Sequence, residues 1–119
     1  MPGLQSVERL AQIKWVDSEL VKSWRDKVRA QAISALSLAR NPDYIVFGVR
    51  NSRGTLLGLI AIQDTDEAII IKHWATRDTG REINAELINA VIEYAGKKRI
   101  KSTFPVPNWR RVGSEYWSN

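Results

Sequence analysis

The chain has no cysteine. Disulfides, thiolate metal sites and a cysteine nucleophile are therefore excluded. It has one histidine, His73, so a zinc site built from several histidines is excluded as well. No apolar run approaches the roughly 18 residues that a membrane-spanning helix needs. The longest candidates, residues 56–62 and 68–71, have the length of strands. Residues 1–6 show no basic start followed by an apolar stretch, so nothing supports a secretory leader, and a cytoplasmic protein is expected. Repeats, low-complexity tracts and linker-like segments are also missing. The length of 119 residues leaves room for one domain. With 44% hydrophobic and 26% charged residues, the composition is that of a globular chain rather than a disordered one.

Acidic residues are scarce near the end. Lys97, Lys98, Arg99, Lys101, Arg110 and Arg111 follow one another with no acid until Glu115. The whole chain carries 18 basic and 13 acidic residues, a net charge of +5. That balance favours an anionic partner without naming one. A nucleic acid, a membrane surface and a phosphate-bearing cofactor all satisfy it, as does a merely solvated surface.

The amino-terminal part is mixed. Residues 7–16 fit a strand or a short helix, and the strand reading is preferred. Asp17 has the character of an N-cap, with Ser18 and Glu19 adding to a negative first turn. Leu20, Val21, Trp24, Val28, Ala32, Ala35, Leu36 and Ala39 recur at helical spacing. The expectation is one long helix, or two helices broken near residues 30–34. Pro42 ends the segment, because the residue before a proline is disfavoured in helix.

The period then changes. Residues 44–49 are β-branched and aromatic and read as a strand. Asn51, Ser52, Arg53 and Gly54 form a turn signal. Residues 55–63 and 67–74 are two more strands, separated by Asp64, Thr65 and Asp66. Short connections make an antiparallel meander the simplest arrangement. Near-continuous apolar strands call for cover on both faces, so helices are expected on each side. Residues 81–98 are the clearest helix, striped by Ile83, Leu87, Ala90, Val91 and Tyr94, with Gly96 suited to its end. Residues 100–104 read as a strand parallel to the one before the helix, and residues 108–117 as a short terminal helix capped by Asn108. The expected fold is therefore α/β (α+β): a mixed sheet, with an antiparallel meander followed by a β–loop–α–β unit.

The loop into that helix is the part with chemical character. A helix start presents backbone N–H groups that have no intrahelical acceptor, and these suit a phosphate or diphosphate. Arg77 and Arg81 add guanidinium groups, which match phosphate oxygens. Gly80 lets a ligand approach the backbone. An ordinary strand–helix connection containing a glycine would read the same way.

The order of elements, with these residues, resembles the GCN5-related N-acetyltransferase (GNAT) family. Residues 46–62, with the turn Ser52-Arg53-Gly54 leading into Leu57-Gly58-Leu59-Ile60, look like the family's paired strands. Residues 69–76 look like its fourth strand. Arg77-Asp78-Thr79-Gly80-Arg81-Glu82 stands where the family has its acyl-CoA loop, with Glu82 in place of the second glycine or alanine. The resemblance covers residues 10–116 and implies an N-acyltransferase that takes acetyl-CoA and an amine acceptor. It assigns cofactor contacts to Trp74, Ala75, Arg77, Asp78, Thr79, Gly80, Arg81, Ile83 and Asn108. Tyr116 would protonate the leaving thiolate. Glu67 and His73 are the candidates for the general base that deprotonates the amine. The family's last strands are not visible, which suggests an open acceptor site or one completed by a second subunit. Trp109 and Trp117 would suit a homodimer contact; Trp24 and Trp74 suit core packing.

Two other functions stay in view. One is a GNAT-shaped binding module without catalysis, to which the Glu82 substitution points. The other, less favoured, is nucleic-acid binding through residues 97–111, with Trp109 stacking on bases.

Overall fold

The structure is a computed structural model and describes residues 6–10, 21–77 and 81–102. Five strands form one sheet in the order β1-β2-β3-β4-β5. They are β1 (Ser6–Leu10), β2 (Tyr44–Arg50), β3 (Leu56–Asp64), β4 (Ala68–Thr76) and β5 (Arg99–Ser102). The first three pairings are antiparallel and β4 pairs with β5 in parallel. Helix α1 (Asp26–Ser37) precedes β2 and helix α2 (Arg81–Ala95) joins β4 to β5. The meander and the crossover unit expected from the sequence are both present, and β1 adds a fourth antiparallel strand at the edge. None of the described helices is long and apolar enough to cross a membrane.

The helices lie on opposite faces. Ile83, Leu87, Ile88 and Val91 of α2 pack with Ile60, Ile62, Ile69, Ile71 and Ile100 of the sheet. Ala32, Ala35 and Leu36 of α1 pack with Val46, Leu59, Ala61 and Ala75 on the other side. This explains the unbroken apolar run of β3: Leu59, Ile60, Ala61 and Ile62 alternate between two buried faces, and all four are fully buried.

The amino-terminal helix differs from expectation. It does not break near residues 30–34, which lie inside α1, and the expected N-cap Asp17 lies outside the described residues. The interruption falls at Arg25, whose backbone is extended with φ −63° and ψ 146°. Trp24 is the reason. Its Nε1 donates to the Leu56 carbonyl at 3.1 Å, and the side chain is 2% exposed. Val21 and Trp24 thus join the same core as α1, so the apolar period runs on where the helix does not. Helix α2 ends at Ala95, and Gly96 follows at φ +62°, a conformation that strains other residues. β5 begins at Arg99, and Thr103 and Phe104 of its expected span lie outside the described residues.

One polar cluster ties the far end of α2 to the sheet. Asp64 accepts from Tyr94 Oη at 2.8 Å and from Lys98 Nζ at 2.7 Å. Lys98 also donates to the Thr65 carbonyl at 2.7 Å. These hydrogen bonds, with Lys98's the larger influence, hold the Asp64 carboxyl below its ordinary 3.8. The folded state therefore favours the charged form, and the resulting stability is present above 3.8 and lost as pH falls through the depressed value. Replacing Asp64 with Asn is expected to cost less than about 1 kcal/mol at neutral pH, as for a partly exposed pair. The deficit should shrink in acid, as read from urea melts between pH 3 and 7. A deficit that is the same at every pH would remove the carboxylate from this account.

Candidate functional site

The site lies at the carboxyl end of β4, and a single irregularity creates it. Ala61 of β3 pairs with His73, but the next residue, Ile62, pairs with Ile71. Lys72 is the extra residue of a β-bulge. A strand alternates faces with period two, so one additional residue exchanges them. Before the bulge Ile69 and Ile71 face α2. Strict alternation would put Ala75 on that side too; instead Ala75 faces α1 and Trp74 packs toward α2. The parallel ladder between β4 and β5 pairs Ala68↔Arg99 through Ile71↔Ser102, the last described residue of β5. β4 itself continues beside β3 to Thr76.

Beside the bulge lies a cleft of about 390 Å³ lined by Gln31, Lys72, His73 and Trp74. His73 is half-buried in its wall. Its imidazole is held below the ordinary 6.5, mainly by burial and further by the neighbouring Lys72 charge. The neutral ring, able to accept a proton, is therefore the resting form at neutral pH.

The first turn of α2 is fixed against this strand from two directions. Trp74 Nε1 donates to Asn84 Oδ1 at 3.0 Å. Gly58 on β3 lies so close beneath the helix that a Cβ there would stand 2.6 Å from Ile83 Cγ2. Arg77 N–H donates to the Leu57 carbonyl at 2.8 Å, which carries the β3–β4 pairing up to the loop. The helix start is thus held at the end of β4, one short loop beyond the cleft.

The expected site residues do not all come together. His73 and Trp74 line the cleft. Ala75 and Ile83 have buried side chains, 5% and 8% exposed, so only their backbones are available to a ligand. Glu82 is exposed. Glu67 is exposed at the opposite end of β4, on the order of 20 Å from His73 at about 3.3 Å per strand residue, and the fold does not bring the two together. Asp78, Thr79, Gly80, Asn108 and Tyr116 lie outside the described residues, as does the side chain of Arg81.

Three residues not singled out from the sequence belong to this corner: Gln31, Lys72 and Asn84. Lys72 had a signal, since it interrupts an isoleucine run. Gln31 and Asn84 look like ordinary polar helix positions until the tertiary structure is known.

The architecture has counterparts among solved structures. The chain is similar to the ribosomal-protein-alanine N-acetyltransferase of Brucella melitensis biovar Abortus 2308, with a TM-score of 0.64 and 17% identity over 97% of this chain and 91% of that one. It is also similar to an N-acetyltransferase of Staphylococcus aureus Mu50, with a TM-score of 0.57 and 19% identity over 82% of this chain and 69% of that one. No family model matches the sequence, and no curated protein does. At these identities the likeness is one of fold: the chain has the fold of the GNAT N-acetyltransferases.

Proposed function

We propose that this chain is an acyl-CoA-dependent N-acyltransferase, a divergent member of the GNAT group, acting on a primary amine. The observation that carries the reading is the bulge at Lys72. It exchanges the faces of β4 beyond Ile71, beside a cleft walled by a neutral histidine and next to an anchored helix start.

The residues present fit an acyl-CoA. The first-turn N–H groups of α2, with Arg77 and Arg81, would hold the diphosphate. The backbone of Trp74 and Ala75 would hold the arm that leads to the thiol. When bound, acyl-CoA supplies an acyl group activated as a thioester, so that an amine nitrogen gains the acyl carbon as the carbon–sulfur bond breaks, losing one proton while the sulfur takes one up. His73 would receive the amine's proton on its unprotonated ring nitrogen, directly or through a water. Asn108 and Tyr116 would serve the thiol end, a role carried by the resemblance alone. Acetyl-CoA is the acyl donor proposed.

Calorimetric titration with acetyl-CoA and with CoA tests the reading. Micromolar binding to the whole chain is expected, corresponding to about 8 kcal/mol. Arg77→Ala and Gly80→Glu should each weaken it at least about tenfold, the scale of a lost charge-assisted contact. No binding at millimolar acetyl-CoA overturns the proposal. Binding without turnover of any amine would leave a binding module of the same fold.

A further inference from the structure

We propose that the acceptor is an amine carrying a carboxylate within a few bonds of its amino group, and that Lys72 is the residue that selects it. The inference rests on the acyltransferase reading and adds the acceptor's chemistry to it.

Lys72 is the bulge residue itself, with no partner across β3 in the register. It is half-buried in the cleft wall with Gln31, His73 and Trp74. Among the described residues that lining holds an amide, an imidazole and an indole beside the Lys72 ammonium, and no carboxylate. Among the described residues no acid pairs with Lys72. An ammonium drawn into a partly desolvated cleft without a counter-ion is an unfavourable arrangement, which a bound anion relieves.

The helix across the cleft has the same sign. Lys27 stands one turn before Gln31 on the same stripe of α1 and is exposed. Lys22, Arg25, Lys27, Arg29 and Arg40 lie between residues 21 and 40, where the one acid is Asp26, which is paired with Arg29. A purely cationic acceptor meets repulsion from both walls. An acceptor with its own carboxylate meets attraction, and its amine can be placed beside His73 while the carboxylate contacts Lys72. A volume of about 390 Å³ is near the lower end for small-molecule sites, which suits something of amino-acid size.

Two sources share this chemistry: a free amino acid, and the amino end of a peptide that begins with acidic residues. Release of free thiol from acetyl-CoA is followed with four acceptors: glutamate, glutamine amide, a hexapeptide starting Glu-Glu, and its counterpart starting Gln-Gln. The carboxylate acceptors should exceed their amide counterparts at least about tenfold in kcat/KM, the scale of one desolvated charge contact. Glutamate outperforming the peptide assigns the free amino acid, and the reverse assigns the chain end. Lys72→Gln should collapse the preference, Lys72→Glu should invert it, and Lys72→Arg should keep it. Equilibrium dialysis of glutamate against the protein without acetyl-CoA gives a second readout, with retention expected in wild type and lost in Lys72→Glu. A wild type that binds acetyl-CoA yet ignores acceptor charge, or a preference that survives Lys72→Gln, overturns the proposal and leaves the transferase reading intact. A wild type that fails to bind acetyl-CoA overturns both.

Discussion

Replacing Gly58 with valine is expected to cost about 3 kcal/mol of folding stability, at the upper end of what overpacking a buried site does. The reason is the closeness of α2 to β3. A Cβ at position 58 would meet Ile83 Cγ2 at 2.6 Å, Thr76 Cγ2 at 3.1 Å and Leu87 Cδ1 at 3.3 Å. The first distance is one that real Cβ atoms do not tolerate. Relief by side-chain rotation is restricted: isoleucine in a helix is stiff at χ1, and Ile83 and Leu87 are already packed in the α2-facing core. The backbone of α2 must give instead, and its first turn is the part nearest the strain. Gly58→Val should therefore lower the urea midpoint and weaken acetyl-CoA binding together, because one displacement causes both. Gly58→Ala should show the same effects at smaller size. Combining Gly58→Ala with Ile83→Ala should cost less than the sum of the two single changes, since the second removes the atom the first collides with. A Gly58→Val protein that unfolds at the wild-type midpoint would mean that the helix start is loosely seated, and the anchored anion site would go with it.

That glycine also marks the limit of what could be read from the chain. The strands from Tyr44 onward were legible because β-branched and aromatic residues cluster between turn signals, and because two tight connections leave few alternatives to a meander. Helix α2 was legible from its stripe and from Gly96 at its end. The break at Arg25 was not, because Val21 and Trp24 continue the apolar period of α1 into residues that are not helical. Periodicity reports which side chains are buried, and a tryptophan bonded to a carbonyl of β3 is buried whether or not its backbone is helical. The bulge was hidden for a related reason. Counting by twos along β4 assigns Trp74 and Ala75 to the wrong faces, and only the pairing register shows that Lys72 is supernumerary. His73 was visible as a lone titratable group in an apolar strand, but its cleft depends on Gln31, forty-two positions earlier on the opposing helix. Glu67 looked equivalent to His73 as a base because both sit in one strand. The length of that strand separates them.

His73→Gln is expected to lower kcat by about 10²-fold or more, the usual contribution of a positioned proton acceptor, with acetyl-CoA affinity kept. Glutamine approximates the ring's reach and polarity but takes up no proton at neutral pH, so the change isolates the acid–base role from packing. The pH dependence separates it further. Burial first, and the Lys72 charge second, hold the His73 pKa below 6.5. The histidine form that can accept a proton is thus fully present above that value, and activity should fall as pH drops through the lowered one. That acid limb should lie below pH 6.5 in wild type and be missing in His73→Gln, whereas the limb from the acceptor amine's own ionisation should remain in both. Lys72→Gln removes one of the two causes, so the same limb should move toward 6.5 without disappearing. A partner that merely packed in the cleft wall would shift stability and leave the pH profile where it was. A His73→Gln enzyme with the wild-type rate and the wild-type acid limb would pass the proton to another group and leave His73 as a wall of the cleft.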